Sequence, residues 1–138
     1  MKKKIFTGIF LVLITSYLHA QQTDYKVVFD MSSRDTVSQQ AVIREVELIK
    51  KHNPAARLEV VIYGQALNLV NKDQSKHAEA ISRLLADSNI SFKVCAFTLK
   101  RYNVEESKLV SGVKIVPDGI YEIISKQREG WGYIKVAH

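Results

Sequence analysis

The chain has 138 residues, of which 20 are Lys or Arg and 14 are Asp or Glu, so its net charge is +6 at pH 7. Three of the lysines lie within the first four residues, and the others are interspersed with acidic residues rather than gathered into an arginine-rich stripe. Since nucleic-acid binding requires a concentrated basic surface, we expect no nucleic-acid partner.

The first 20 residues are typical of a secretory signal peptide. Lys2 to Lys4 precede an apolar run from Ile5 to Ile14, and Ala20 supplies a small residue just before the expected cleavage point. An uncleaved anchor is the weaker alternative, because the run is shorter than the roughly 20 residues of a spanning helix. We expect export to the periplasm and no membrane attachment after cleavage. The mature domain, 21–138, would keep 17 basic and 14 acidic residues, a net charge of +3.

Strand-like and helical segments alternate along the rest of the chain. Thr36 is predicted to open the first helix, with Gln39 as its capping partner. Alternation at this spacing is typical of βαβ units, so we predict an α/β fold, a three-layer α/β/α sandwich with a mostly parallel five-stranded sheet. The predicted strands are 25–29, 58–63, 90–96, 113–116 and 131–136, and the predicted helices are 36–51, 75–86 and 120–128, with helical turns at 65–70 and within 98–109.

Cys95 is the only cysteine, so it cannot form an internal disulfide. It ends the third predicted strand, and functional residues of open α/β sheets gather beyond the carboxyl ends of strands. Here that rule selects the loops at 31–35, 64–68, 95–99 and 117–119. Cys95 is either a buried, inert small hydrophobe or a reactive thiol, whose ionised form would be favoured by the following helical turn and by Lys100 and Arg101.

Other kinds of site have little support in the sequence. The loop from Ser32 to Thr36 is rich in hydroxyl groups but lacks the glycines of a phosphate-binding loop, so no flavin or other cofactor is expected. No metal site is expected either, because His52, His77 and His138 have no second ligand at metal-binding spacing. Gly64 and Gly119 either serve as turn or cap residues or allow a close backbone approach.

Three segments resemble the DsrE/DsrF-like (YchN-like) family, in the order and spacing of its members, over residues 25–136. The resemblance implies a five-stranded parallel sheet, assembly into homotrimers or hexamers and, for sulfur-trafficking members, a cysteine that carries persulfide sulfur. Cys95 matches that cysteine. Those members act in the cytoplasm, however, whereas this chain has an export signal, and many relatives have no known activity. The segments are Val60 to Gly64 with Leu67 and Leu69, Ile90 to Leu99, and Val116 to Ile123 followed by Gln127 and Gly130 to Ile134.

Two functional hypotheses follow. The first is a sulfur-handling protein of the cell envelope that carries persulfide on Cys95 and exchanges sulfur with a donor or acceptor protein. The alternative is a non-catalytic, oligomeric module that binds a small ligand and keeps the cysteine buried. In both cases the ligand-binding residues are expected in the strand-end loops, at Gly64, Ala96, Phe97, Thr98, Pro117, Asp118 and Gly119.

Overall fold

The computed structural model of the protein describes residues 24–136. The predicted signal peptide and its cleavage point lie outside these residues. Within residues 24–136, no helix is both long enough and apolar enough to cross a bilayer.

Strands and helices alternate along the described chain, as the sequence predicts. Two 3-10 helical segments, Gly64–Leu69 and Glu106–Lys108, occupy the positions where helical turns are predicted. The strands are β1 (Lys26–Met31), β2 (Arg57–Ile62), β3 (Ile90–Cys95), β4 (Lys114–Val116) and β5 (Gly132–Val136), and the helices are α1 (Thr36–His52), α2 (Ala78–Leu84), α3 (Ala96–Tyr102) and α4 (Gly119–Arg128).

The five strands form one sheet in the order β4-β3-β2-β1-β5, and every neighbouring pair is parallel. The predicted α/β class and five-stranded parallel sheet are therefore confirmed. In the central register, Val60 of β2 lies between Phe29 of β1 and Phe92 of β3. Because all strands run the same way, the loops after β2, β3 and β4 meet at one edge of the sheet. Strand β3, which ends at Cys95, is an interior strand next to the edge strand β4.

One face of the sheet is apolar and carries most of the core. Alternate strand residues such as Phe29, Val60 and Phe92 are buried there against α1, α2 and the first 3-10 segment. Burying side chains of this size contributes about 1.5–3 kcal/mol each, so this face supplies most of the stability.

The opposite face is polar and is covered by α4. Its apolar cluster is small, with Val28, Val61 and Ile123 at the centre and Tyr63 and Trp131 at the margin. The other strand residues on this face include charged side chains, such as Asp30, Glu59 and Lys93, and also Cys95, and they are described with the site. The chain therefore has the predicted three layers, but the two helical layers contact sheet faces of different chemistry.

The capping of α1 differs from the prediction. The helix begins at Thr36 as predicted, but its N-cap is Asp35, whose Oδ2 accepts hydrogen bonds from the Ser38 backbone N–H at 2.8 Å and from Ser38 Oγ at 3.0 Å. Gln39, the predicted capping partner, instead donates from Nε2 to the Asn68 side chain at 2.8 Å. A carboxylate is the stronger acceptor for the free N–H groups of a first turn, and Asp35 lies directly before the helix.

Candidate functional site

A groove of about 670 Å³ lies at the edge where the carboxyl ends of β2 and β3 meet the start of α4; we call it the cysteine groove. Five of the predicted site residues line it, and Gly119 packs against one of them, Cys95. Ala96 and Pro117 belong to the same loops but are not among its lining residues. The cysteine groove is lined by Tyr63, Gly64, Cys95, Phe97, Thr98, Lys100, Arg101, Asp118 and Ile120.

Cys95 is the last residue of β3 and the N-cap of α3. Only 6% of its surface is exposed, and its side chain makes no capping hydrogen bond to the helix. The position of Cys95 before a helix suggested that backbone N–H groups would stabilise its thiolate. In the structure, the side chain makes no such bond to the first turn of α3. Cys95 lines the groove and packs closely against the start of α4.

Gly119 allows the start of α4 to approach Cys95 closely. A Cβ atom built on Gly119 would lie 3.2 Å from Cys95 Cβ and 3.3 Å from Val61 Cγ1, tighter than ordinary carbon–carbon contact. Of the two interpretations made from the sequence, close backbone approach therefore applies here. Asp118, just before it, is the N-cap of α4, and its Oδ1 accepts from the N–H groups of Ile120 at 2.9 Å and Tyr121 at 3.3 Å.

Gly64 and Thr98 join the loop after β2 to α3. The Gly64 N–H donates to Thr98 Oγ1 at 2.9 Å, which satisfies the buried Thr98 hydroxyl. Gly64 has a φ of +59°, a conformation that side chains other than glycine rarely adopt, and a Cβ there would meet no atom within 4 Å. This part of the groove wall is therefore bare backbone.

Lys100 and Arg101 give the cysteine groove a positive rim. Both are exposed residues in the last turn of α3, and neither forms an ion pair with any residue in the described range 24–136. Asp118, the acidic residue among the lining side chains, is already bound to backbone N–H groups. The groove thus combines a thiol with two unpaired cations, an arrangement that favours anionic ligands.

Comparison with known proteins identifies the family. The model of the DsrE/DsrF-like family matches residues 9–136. The chain belongs to the DsrE/DsrF-like family. This confirms the resemblance inferred from the sequence, although no match is found among curated proteins.

Solved structures of similar fold include three from different organisms. The protein of unknown function MTH1491 from Methanobacterium thermoautotrophicum is 30% identical, with a TM-score of 0.76 over 81% of this chain and 99% of that one. The conserved protein of unknown function BT1422 from Bacteroides thetaiotaomicron is 14% identical, with a TM-score of 0.67 over 80% and 94% of the two chains. The ychN protein from E. coli is 13% identical, with a TM-score of 0.67 over 81% and 98%. The last two likenesses concern the fold alone.

Tyr63 connects the cysteine groove of this DsrE/DsrF-like protein to a polar cluster around the buried Asp30, which the sequence analysis missed. Lys135 Nζ lies 3.1 Å from both oxygens of Asp30 and 3.5 Å from the Tyr63 hydroxyl. The Tyr133 hydroxyl donates to the same Asp30 at 2.6 Å. Burial, and secondly the Asp30 carboxylate, raise the pKa of Tyr63, so its hydroxyl stays protonated at neutral pH and can donate. Asp30 and Lys135 are direct partners in the β1–β5 pair, a register that only the order of the strands in the sheet reveals.

A second polar cluster, also missed, joins α4 to the sheet. Lys93 Nζ lies 2.9 Å from Glu59 Oε2 and 2.6 Å from Glu122 Oε1. Glu59 is 3% exposed, and its Oε1 has no hydrogen-bond partner. Burial raises the pKa of Glu59. The neighbouring Glu122 acts in the same direction on Glu59, while the pKa of Glu122 itself is lowered, so Glu59 is the carboxyl of the pair that takes up a proton more readily.

No metal centre was predicted. Within residues 24–136, no group of three or more His, Cys, Asp or Glu side chains is arranged to hold a metal ion.

Proposed function

We propose that the protein is an envelope sulfur carrier that holds sulfur on Cys95 as a persulfide. The Cys95 thiolate attacks the outer sulfur of a donor persulfide, a new S–S bond forms, and the donor leaves as a thiolate. The outer sulfur keeps its proton, and the exchange needs no cofactor and no net oxidant. The observation that carries the proposal is that the only cysteine of the chain lines a groove rimmed by Lys100 and Arg101.

The rim of the groove supports the anionic character of this chemistry. Thiolates and persulfides carry negative charge near neutral pH, and two unpaired cations raise their local concentration at the groove. Phe97 and Ile120, which are 67% and 56% exposed, flank the same opening. Exposed apolar side chains beside a reactive group suit docking by a protein that delivers or receives the sulfur.

A homo-oligomer, a trimer or a hexamer, is part of the proposal. Exposed apolar side chains continue from the groove along α4, at Ile120, Tyr121 and Ile124. Covering them would add a further layer to the face of the sheet whose own apolar cluster is small. Light scattering of the mature protein at micromolar concentration should give a mass that is a multiple of three chains, and a monomer mass would contradict this part.

The alternative function is a binding module with an inert cysteine, and the 6% exposure of Cys95 favours it. In that case α4 and α3 simply close over a small hydrophobe, and ligands bind at the groove without covalent chemistry. The accessibility of the thiol in the folded protein separates the two functions.

The deciding experiment labels and loads the thiol of the mature protein, 21–138. Wild type should be alkylated by iodoacetamide in its native state. After incubation with a polysulfide, its intact mass should increase by one sulfur atom, while Cys95→Ser should gain nothing. If native protein resists alkylation for hours while urea-unfolded protein reacts at once, sulfur carriage is excluded and the binding module stands.

A further inference from the structure

A second and larger groove, of about 790 Å³, adjoins the cysteine groove at Gly64, which lines both. It lies among the first 3-10 segment, the loop before α1 and the end of α3. Side-chain amides dominate its wall, and we call it the amide groove. The residues that matter for its chemistry are Arg34, Gln65, Asn68, Asn71, Gln74 and Tyr102.

The amides of the deeper wall are oriented by the fold. Gln39, only 3% exposed, donates from Nε2 to Asn68 Oδ1 at 2.8 Å. Asn71 Oδ1 accepts the Asp73 backbone N–H at 3.1 Å. Both side-chain carbonyls are therefore occupied, and neither Nδ2 group has an acceptor among residues 24–136. Two amide NH2 groups, oriented by these bonds, remain for a ligand.

The charge of the amide groove matches those donors. Arg34 is exposed and forms no ion pair with any described residue, and no acidic side chain of the described chain lines the groove. Arg34 and the two Asn amides together suit a carboxylate, which can accept two parallel hydrogen bonds from a guanidinium. The exposed Gln65 and Gln74 can each donate and accept, as an amide bond in a ligand requires.

The boundary between the two grooves has no side chain. Because a Cβ at Gly64 would point into open space, a ligand anchored in the amide groove can extend over this residue towards Cys95. A peptide-like molecule with a carboxylate at one end and a thiol at the other has the groups that the two adjoining grooves would each accept.

We propose that the amide groove binds a small, carboxylate-bearing peptide thiol, and that this thiol accepts the sulfur from Cys95. The acceptor role depends on the sulfur-carrier function proposed above, whereas the binding site does not. In the transfer, the thiolate of the ligand attacks the outer sulfur of the Cys95 persulfide. The bond from that sulfur to Sγ breaks, the electron pair stays on Sγ, and the ligand leaves as a persulfide with the proton, so no oxidant is needed.

Binding is tested first, without sulfur chemistry, by calorimetric titration of mature protein with S-methylglutathione, which has carboxylates and amide bonds but no free thiol. Wild type and Cys95→Ser should bind it equally, and Arg34→Ala should weaken binding by about ten-fold, the effect of losing a charge-assisted contact. The control is Lys114→Ala, since Lys114 is an exposed cation on β4 outside both grooves. No binding, or equal weakening by both variants, would overturn the site.

Transfer is tested next on persulfide-loaded protein, by following the loss of the added sulfur mass. Glutathione should unload Cys95 faster than uncharged 2-mercaptoethanol, and Arg34→Ala should slow only glutathione. Gly64→Asn should also slow glutathione, because its side chain would occupy the boundary between the grooves. Gly130→Asn is the control, since Gly130 also has positive φ, +81°, and open space around it, and Asn is the residue that best tolerates that conformation.

The outcomes distinguish the two proposals. Loading of Cys95 followed by equal unloading by both thiols would overturn the acceptor role and leave sulfur carriage intact. Failure to load Cys95, with Arg34-dependent binding of S-methylglutathione, would overturn sulfur carriage and with it the acceptor role, and would support the binding site alone.

Discussion

Replacing Gly119 by Ala tests how closely α4 is packed on Cys95. The new methyl group would lie 3.2 Å from Cys95 Cβ and 3.3 Å from Val61 Cγ1. Neither neighbour can move away easily, because the Cys95 Cβ is fixed to the backbone of an interior strand and Val61 is a fully buried, β-branched residue. The start of α4 must therefore shift outwards by a few tenths of an ångström.

The expected cost follows from two opposing effects. Overpacking a well-filled site costs about 1–3 kcal/mol. Replacing glycine by alanine in a helix stabilises it by up to about 1 kcal/mol, and less at a first helical position such as Gly119. We expect Gly119→Ala to lower the free energy of unfolding by about 1–2 kcal/mol.

Urea unfolding, followed by circular dichroism, measures this difference. Gly132→Ala is the matched control, because a Cβ there would lie 3.5 Å from the Lys26 carbonyl oxygen, an ordinary contact. The control should stay within about 0.5 kcal/mol of wild type. If Gly119→Ala proved as stable as the control, the close packing of α4 on Cys95 would be wrong.

Three further predictions concern α4 and the buried charges beneath it. Asp118→Ala removes the N-cap of α4 and should lower the free energy of unfolding in urea by about 1 kcal/mol. Asp118→Asn keeps an acceptor oxygen and should lower it less. Lys93→Met removes the cation that Glu59 and Glu122 share and should lower the free energy of unfolding by about 2–3 kcal/mol, less than for a fully buried pair because Lys93 and Glu122 are partly exposed. The control is Lys108→Met, which breaks an exposed ion pair and should change the free energy of unfolding little. Burial raises the pKa of Glu59 above the ordinary 4.5, so above pH 4.5 the native state keeps a proton that the unfolded chain releases. The free energy of unfolding should therefore fall as the pH rises above 4.5. Glu59→Gln should remove this fall in urea midpoints measured from acid to neutral pH, and an unchanged slope would contradict the assignment to Glu59.

Much of the fold could be predicted because its signals are local. Each strand is a short apolar run, and each helix has its own periodicity, so the alternation that specifies a parallel α/β sheet is readable along the chain. The rule that sites lie at the carboxyl ends of strands then selected Gly64, Cys95 and Thr98, which the structure does bring together. The same rule selects loops rather than side chains, and this is why it also included Ala96 and Pro117, which do not line the groove.

The polar face of the sheet could not be predicted from local patterns. Asp30 and Lys135 are 105 residues apart, and Glu59 and Lys93 come from different strands, so their pairing depends on strand order. Strand β2 reads as almost continuously apolar, and a single Glu59 within it gives no hint of a partner. The alternation of Ser91, Lys93 and Cys95 with apolar residues in β3 was the available signal, since it places all three on one face.

The two faces of the sheet contribute differently to the fold, because one carries most of the apolar core and the other makes the ionic contacts to α4. The apolar face carries most of the buried side chains of the core. The polar face instead specifies where α4 lies, because Lys93 binds Glu122 of the helix and Glu59 of the sheet at once. Lys93 is two residues before Cys95 and Glu122 is three residues after Gly119, so these ionic contacts lie close to the point where the first residue of the helix packs against Cys95 Cβ. The groove that Cys95 lines has the first turn of α4 on one side and Gly64, Lys100 and Arg101 on the other, so the sulfur-carrier proposal requires a partner to approach from the side of these three residues.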